Sequence, residues 1–472
     1  MADIIKVGLD FGTHQTKICI KTYPNEDIKH PIFEFFKFKD SQENDSYFLP
    51  SEVQINKDGT ISYGFLDASR RKTAKTTLQK GNDVSSWNIT EKAAELYTKY
   101  ETTNTVHDDI TVLITMLEAY KGKLEPEEKI LHNCSVEDDE YFYRYFKQAT
   151  FSEREWNREI SSENISIWYL SYVIFLLEEK YETNFSINMG IPVGEDSFEE
   201  KKKYATTILL SAYHLVEDVY KNNLSEFLKE NIDELIKKTK IIFYSEDLKE
   251  EYNINIFPEA FACLSTLTSA GKLSNGMSLI ADIGGGTTDI SFFTIDQNKP
   301  LIYRYWSIPK GLNYIAEKSG FNYERGTLSK RAKKEVIEEF HHDERKIIGE
   351  LITDLIEQLR KETKILKQNL LNALQNRIIV YNGGGSTVKK LTNPIFYFTD
   401  VSLVDASMWK EANMLEKSKV KPLCQILTTA YGLSLSESDN EVTVSKFSLL
   451  FKGLGASPNE KEEIEFIDKD KC

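Results

Sequence analysis

Cysteine is scarce in this sequence: Cys19, Cys134, Cys263, Cys424 and Cys472 are five among 472 residues. They are scattered and odd in number, with no Cys-x-x-Cys pair, so neither a disulfide framework nor a cysteine zinc site is indicated, and a reducing compartment fits. No uninterrupted apolar run reaches membrane-spanning length. The start of the chain also lacks the basic region and apolar segment of a signal peptide, so a cytoplasmic protein with no membrane partner is expected. Positive charge is in deficit: Lys plus Arg is 59 against 74 Asp plus Glu, a formal charge of −15. That balance argues against nonspecific binding to a nucleic-acid backbone, and no nucleic-acid partner is expected. What remains is an ordinary globular composition, long enough for two or more lobes.

The most informative stretch runs from Leu279 to Ile295. Two apolar, β-branched runs flank Asp282-Ile-Gly-Gly-Gly-Thr-Thr-Asp289, which reads as strand, tight turn, strand. Gly284, Gly285 and Gly286 carry no Cβ, so backbone N–H groups can approach an anion closely, and Thr287 and Thr288 add hydroxyl donors. Asp282 is placed to organise the water shell of Mg²⁺, while Asp289 reads as a strand-end residue that steadies the turn. A related hairpin stands near the N-terminus, where an apolar strand enters Asp10-Phe-Gly-Thr13 and leaves through an alternating strand from Thr16 to Lys21. Asp10, Gly12 and Thr13 correspond to Asp282, Gly284 or Gly285, and Thr287. Two such hairpins suggest duplicated lobes facing one nucleotide.

These two motifs resemble the first and second phosphate motifs of the actin-like ATPase superfamily. A third stretch, Arg377-Ile-Ile-Val-Tyr-Asn-Gly-Gly-Gly-Ser-Thr387, is similar to the adenosine motif of DnaK-type (heat-shock protein 70) chaperones, and Leu49-Pro-Ser51 with the strands after it resembles that family's first lobe. The resemblance implies an α/β, two-lobed actin-like (ribonuclease H-like) fold with duplicated mixed sheets flanked by helices. Lobe I would span 1–257 with a helical insertion at 70–164. Lobe II would span 258–433 with a short subdomain at about 311–345 and a closing helix returning to lobe I, followed by a short extension at 434–472. That extension is too short for the chaperones' peptide-binding domain.

The resemblance further implies ATP or ADP with Mg²⁺ as cofactors. Asp10 and Asp282 would hold the metal through water and act in catalysis with Glu259. Gly12, Thr13, His14, Gly284, Gly285, Gly286, Thr287 and Thr288 would bind phosphate. Gly383, Gly384, Gly385 and Ser386 would admit adenine and ribose, with Lys333 and Lys334 as further contacts from a helix over 328–339. Two departures stand out. The chaperones' glutamate before the Pro turn is Phe257 here, with Glu259 just after Pro258 as its substitute. Their adenine-stacking arginine is replaced by Val388, Lys389 and Lys390.

Other segments carry structural readings. Tyr141, Phe142, Tyr143, Tyr145 and Phe146 interleave with charges and read as the core of the insertion rather than a partner surface. Arg70, Arg71 and Lys72 lie near where the chaperones place a γ-phosphate lysine, but none aligns. His341 and His342 are adjacent and make a poor metal pair. Residues 347–374 read as the longest helix.

The expected function is a slow, Mg²⁺-dependent ATPase acting as a conformational switch, with an unidentified protein client or partner, or self-association. A filament-forming actin-like ATPase is the alternative, followed by a small-molecule kinase and a nucleotide-binding scaffold with little hydrolysis.

Overall fold

The computed structural model describes residues 4–26, 29–40, 42–56, 58–66, 76–77, 135–136, 142–151, 155–156, 158–181, 185–192, 198–271, 277–296, 299–320, 327–362, 377–405, 407, 409, 413–439 and 443–444. The chain forms two compact units, one of Met1–Ser51, Tyr145–Leu224 and Thr239–Cys472, the other of Glu52–Arg144 and Ser225–Lys238.

In the first unit, the chain opens with β1 (Ile4–Phe11), β2 (Gln15–Tyr23), β3 (Ile32–Phe35) and the short β4 (Leu49–Pro50). The second unit contributes β5 (Val53–Ile55), β6 (Ile61–Tyr63) and β7 (Phe142–Tyr143), a sheet with β5 in the centre. Its core includes Tyr63 stacked on Phe227 at 5.4 Å. Back in the first unit come α1 (Phe146–Phe151), α2 (Ser162–Tyr181), β8 (Phe185–Ile191), α3 (Phe198–Tyr213), β9 (Ile254–Pro258) and α4 (Glu259–Ser269). Then follow β10 (Ser278–Ile283), β11 (Thr288–Asp296), β12 (Lys299–Ile308), α5 (Leu312–Lys318), α6 (Lys334–Glu362), β13 (Ile378–Asn382), β14 (Asp400–Leu403), α7 (Cys424–Leu435) and β15 (Thr443–Val444).

The strands build two mixed sheets with one plan. The first has the order β9-β8-β1-β2-β3, the second β14-β13-β10-β11-β12, with β15 added beyond β12. In each, the leading strand pairs parallel on one side and antiparallel on the other: β1 with β8 and β2, β10 with β13 and β11. The buried strands are rich in Val, Ile, Leu and Phe because both faces are covered, as mixed sheets between helices require. The chain is thus α/β with duplicated mixed sheets flanked by helices.

Several helices differ from their expected bounds. The helix read over 328–339 is broken: Leu328–Arg331 is a short turn of helix, Ala332 is extended, and α6 starts afresh at Lys334. From there α6 runs unbroken to Glu362, absorbing the start of the helix expected at 347–374, whose remaining residues lie outside those described. Most of the insertion at 70–164, with Arg70, Arg71, Lys72 and Tyr141, also lies outside them. The described pieces include an antiparallel pair, Thr76–Thr77 with Ser135–Val136, and the strand β7, so strand as well as helix occurs there. Of the aromatics read as the insertion's core, Phe146 is fully buried against Phe11 and Tyr169 of the first unit instead, Tyr143 is buried in the second unit, and Phe142 and Tyr145 are only partly buried. His341 is buried with its Nδ1 2.8 Å from Glu344 Oε2, whereas His342 is exposed, so the two do not converge. Among the described residues, no helix is long and apolar enough to cross a membrane.

Helix α7 packs unusually close to its neighbours. A Cβ on Gly8 of β1 would lie 2.2 Å from the Ala430 carbonyl oxygen, and one on Gly432 would lie 1.8 Å from that of Ala262 in α4. An alanine in a helix interior is normally favoured over glycine by about 1 kcal/mol. Here a methyl group would have to displace backbone, and overpacking costs of about 1–3 kcal/mol or more outweigh the propensity gain. Gly432→Ala is therefore expected to lower the thermal midpoint followed by circular dichroism; an unchanged or raised midpoint would show that α7 is not seated against α4 this way.

Candidate functional site

The first hairpin joins β1 to β2, and its register sets Asp10 directly across from Lys17. The Lys17 ammonium lies 2.6 Å from Asp10 Oδ2, and both side chains are largely buried. Beneath the turn, Phe11 stacks on Tyr169 at 5.7 Å. The Tyr169 hydroxyl lies 3.1 Å from the Pro50 carbonyl oxygen, which holds the Leu49-Pro-Ser51 segment beside the turn. Ser51 then grips the hairpin itself: its hydroxyl donates to the Gly12 carbonyl at 2.6 Å, and its N–H donates to the His14 carbonyl at 3.0 Å. Because a trans peptide sets each N–H opposite the preceding carbonyl, the Thr13 and Gln15 N–H groups point away from Ser51.

The second hairpin joins β10 to β11 in the equivalent register, with Asp289 across from Asp282. Its glycine carbonyls are also drawn outward. Those of Gly284 and Gly285 accept from the Leu312 and Asn313 N–H groups at the start of α5, at 3.0 and 2.8 Å. The Gly286 carbonyl accepts from the Gln148 side-chain amide at 3.1 Å. By the same peptide geometry, the N–H groups of Gly285, Gly286 and Thr287 turn the opposite way, which is how successive backbone donors make an anion-binding concavity. The glycines are also required by space: a Cβ on Gly285 would lie 2.7 Å from His14 Cβ, and one on Gly286 would lie 2.5 Å from Thr13 Cγ2. The hairpins thus abut one another.

The two turns line a cavity of about 360 Å³. It is bordered by Asp10, Gly12, Thr13, His14, Glu259, Asp282, Gly284, Gly285, Thr287, Gly383 and Gly384, so most of the residues singled out in the sequence come together. Gly286 lies directly behind, against Thr13 and Gln148. Thr288, Gly385 and Ser386 are not on the cavity wall; the Thr288 hydroxyl donates to the Lys310 carbonyl, and the Ser386 hydroxyl to that of Gly383. Lys333 and Lys334 do not line it either, and the Lys334 side chain is 88% exposed beside Glu338.

The structure adds residues that the sequence reading did not single out. Lys17, Lys147 and Thr429 line the cavity; Asp289, read from the sequence as a strand-end residue, lines it too and accepts the Thr287 hydroxyl at 3.2 Å. Lys147 is buried and paired with Glu259. Asn382, set beside Asp282 by the β10–β13 register, donates to Asp282 Oδ2 at 2.9 Å. Gly383 follows with φ 77°, and any Cβ there would lie 2.2 Å from Asp282 Oδ1. Lys17 had a local signal, since it follows Asp10 by the interval that separates Asp282 from Asp289. Lys147 had none, being distant in sequence from every other cavity residue.

Four carboxylates, Asp10, Glu259, Asp282 and Asp289, face two ammonium groups, Lys17 and Lys147, which leaves the cavity wall with a formal charge of −2. Burial pushes Asp282 up to about 6, with Glu259 and Asp10 adding to the shift. Asp289 is raised by burial and then by Glu259. Burial works against the Lys147 ammonium, but Glu259 and Asp10 outweigh it, and its pKa is raised. Among the described residues, no three His, Cys, Asp or Glu side chains are grouped to hold a metal ion directly. The mutual repulsion of Asp10, Asp282, Asp289 and Glu259 nevertheless fits a hydrated divalent cation, whose charge relieves it at longer range.

Asp282 holds its proton more tightly when folded, so the stability it contributes is present below its unfolded pKa near 3.8 and lost as pH rises through about 6. Asp282→Asn, which keeps an acceptor for Asn382, is expected to stabilise the ligand-free protein at pH 8 by on the order of 1–3 kcal/mol while changing it little at pH 4. Thermal melts of both proteins across this range test the effect; parallel pH profiles would refute it.

No protein-family model matches the chain. No curated protein matches it either. Among solved structures, the chain is similar to a non-polymerising mutant of MamK bound to AMPPNP, with 15% sequence identity, 88% of this chain and 98% of that chain covered, and a TM-score of 0.34.

Proposed function

We propose that this chain is an actin-like ATPase: it binds ATP with Mg²⁺ between its two hairpins, hydrolyses it slowly, and changes conformation with nucleotide state. The observation that supports this most directly is repetition. Two sheets of one strand order each present a glycine-containing hairpin with an aspartate in the same register, and both hairpins open on one cavity. A single glycine-rich hairpin is weak support for a ligand, but a matched pair sharing a cavity is much harder to obtain without one.

In this reading, the backbone N–H groups of Thr13 and of Gly285 to Thr287 hold the β- and γ-phosphates. Asp10 and Asp282 would hold a hydrated Mg²⁺, which when bound would supply positive charge to offset that of the phosphates in a wall that is itself anionic. Lys147 is the buried ammonium that meets the γ-phosphate, the role for which residues 70–72 offered no match. Glu259, paired with Lys147, orders the attacking water. Gly383 and Gly384 let the nucleoside approach the backbone. Phosphoryl transfer depends chiefly on positioning and charge stabilisation, which these groups supply.

A purified protein assayed with ATP and Mg²⁺ is expected to release phosphate slowly and to stop when the cation is chelated. Asp10→Ala and Asp282→Ala should each abolish steady-state release. Lys147→Ala should lower kcat by roughly a hundredfold, the loss typical of removing one charge-stabilising group. Wild-type rates in any of the three variants would overturn the corresponding assignment.

The output of the switch is read here as chaperone-like. A second reading, self-assembly into filaments, is favoured by apolar side chains on the edge strand of the second sheet and the turn before it: Val401 and Leu403 are 37% and 41% exposed, and Phe396 54%. Sedimentation separates the two, since ATP-dependent pelleting would support filaments and a soluble protein with ATP would support the switch alone.

A further inference from the structure

Helix α1 touches the second hairpin and its supporting helix at two separated points. At its N-terminal side, the Tyr145 hydroxyl donates to Glu317 Oε1 of α5 at 3.0 Å. One turn on, the buried Gln148 amide donates to the Gly286 carbonyl at 3.1 Å. These two acceptors belong to one body, because α5 is itself hydrogen-bonded to the hairpin through the Leu312 and Asn313 N–H groups. Helix α1, in contrast, is fixed on the side of the first hairpin. Phe146 packs on Phe11 and Tyr169, and the Thr150 and Ser166 hydroxyls join α1 to α2 at 3.0 Å.

Two further details single out this segment. Tyr145 has φ 60°, in the left-handed region that a residue with a Cβ rarely adopts. Such a conformation persists when surrounding contacts over-determine it, and it aims the Tyr145 side chain at α5 while Gln148 faces the hairpin. Gln148 also occupies the space beside Gly286, where a Cβ would lie 3.0 Å from its Oε1. The bond from Gln148 therefore fixes the Gly286 carbonyl and, through the trans peptide, the direction of the Thr287 N–H.

We propose that Tyr145 and Gln148 form a clasp that gates nucleotide exit: the second hairpin and α5 separate from the first hairpin only when the Tyr145–Glu317 and Gln148–Gly286 bonds part. The inference rests on the nucleotide reading of the cavity and adds to it the element that sets how long the nucleotide stays. Tyr145 and Glu317 are not among the residues that line the cavity, so they act on the rate of opening and not on phosphoryl transfer. Gln148 is a positioning residue, acting through Gly286.

The test is the dissociation rate of a fluorescent N-methylanthraniloyl ATP bound with Mg²⁺, alongside single-turnover hydrolysis. Tyr145→Phe keeps the ring and removes only the donor, and it is expected to speed release by roughly threefold to tenfold, the effect of losing one partly exposed hydrogen bond to a charged group. Glu317→Ala should do the same, and Glu317→Gln, which still offers an acceptor oxygen, should restore slow release. The double variant Tyr145→Phe/Glu317→Ala should release no faster than the faster single variant, since both remove one bond. Gln148→Glu, isosteric but without the donor, should also speed release. Single-turnover hydrolysis should stay at the wild-type rate in Tyr145→Phe.

Release at the wild-type rate in Tyr145→Phe and Glu317→Ala, with the wild type binding the probe normally, would overturn the clasp and leave the nucleotide site standing. Additive effects in the double variant, or slowed hydrolysis in Tyr145→Phe, would also overturn it. A wild-type protein that fails to bind the probe would overturn the reading of the cavity itself, and the clasp with it.

Discussion

Asp10, Glu259, Asp282 and Asp289 share one cavity with Lys17 and Lys147; Asp10 and Lys147 are buried and the other four are partly buried. Removing one such charge from water costs several kcal/mol unless a partner compensates, so the geometry around the cavity must pair or neutralise each of them. Lys17 takes Asp10, and Lys147 takes Glu259. Asp282 has amide and hydroxyl partners in Asn382 and Thr429 but no ammonium of its own, and burial, with Glu259 and Asp10, weakens its acidity despite the Asn382 bond. The remaining negative charge matters for the ligand as well as for the protein. A polyphosphate would be repelled by this wall, whereas a polyphosphate carrying Mg²⁺ meets both the hydrogen-bond donors and the uncompensated carboxylates. In the proposed function, the cation would therefore be part of the binding chemistry from the first encounter and would not merely assist the later chemical step.

Backbone direction is controlled by a second, equally physical device. An N–H group can face a ligand only if the carbonyl behind it is satisfied elsewhere, because buried backbone acceptors are costly when left unpaired. Ser51 meets this need for the first hairpin with one hydroxyl and one N–H. The second hairpin has more glycines and needs more support, which comes from the first turn of α5 and from Gln148. The Leu49-Pro-Ser51 segment, singled out in the sequence only by resemblance, thus acquires a mechanical reason: it carries the serine that turns the first hairpin toward the cavity.

What the sequence made legible follows the range of the forces involved. Hairpins are local, and alternation around Asp10 and Asp282 reported both their strands and their turns. The repeat between them led to duplicated mixed sheets, and the shared strand order has that form. Helix breaks were less legible: nothing in the run from Leu328 to Glu339 signals that Ala332 becomes extended. The least accessible features were contacts between distant segments. Lys147 sits in an aromatic-rich stretch where a buried lysine has no local signature, and only tertiary packing brings it to Glu259. Asp289 reads from the sequence as a strand-end residue that steadies the turn; it does accept from Thr287, yet its side chain also reaches the cavity. Both roles are compatible with one position at the end of a hairpin, and sequence pattern alone weights the nearer one.

The duplicated register brings out a difference between the halves that the motifs conceal. The residue across from the first aspartate is a lysine, and the residue across from the second is another aspartate. The first hairpin is therefore close to electrically balanced before any ligand arrives, while the second has an excess of negative charge. A divalent cation would be drawn toward the second hairpin, leaving the ammonium of Lys17 to answer phosphate oxygens near the first. Lys147 completes this polarity from a third direction, because it stands on α1, the same element that holds the Gly286 carbonyl through Gln148. A shift of α1 thus moves the Lys147 ammonium and, through the Gly286 carbonyl, the Thr287 N–H together. That shared support couples charge and backbone geometry in the cavity, and such coupling is what a switch needs if it is to respond to loss of the γ-phosphate.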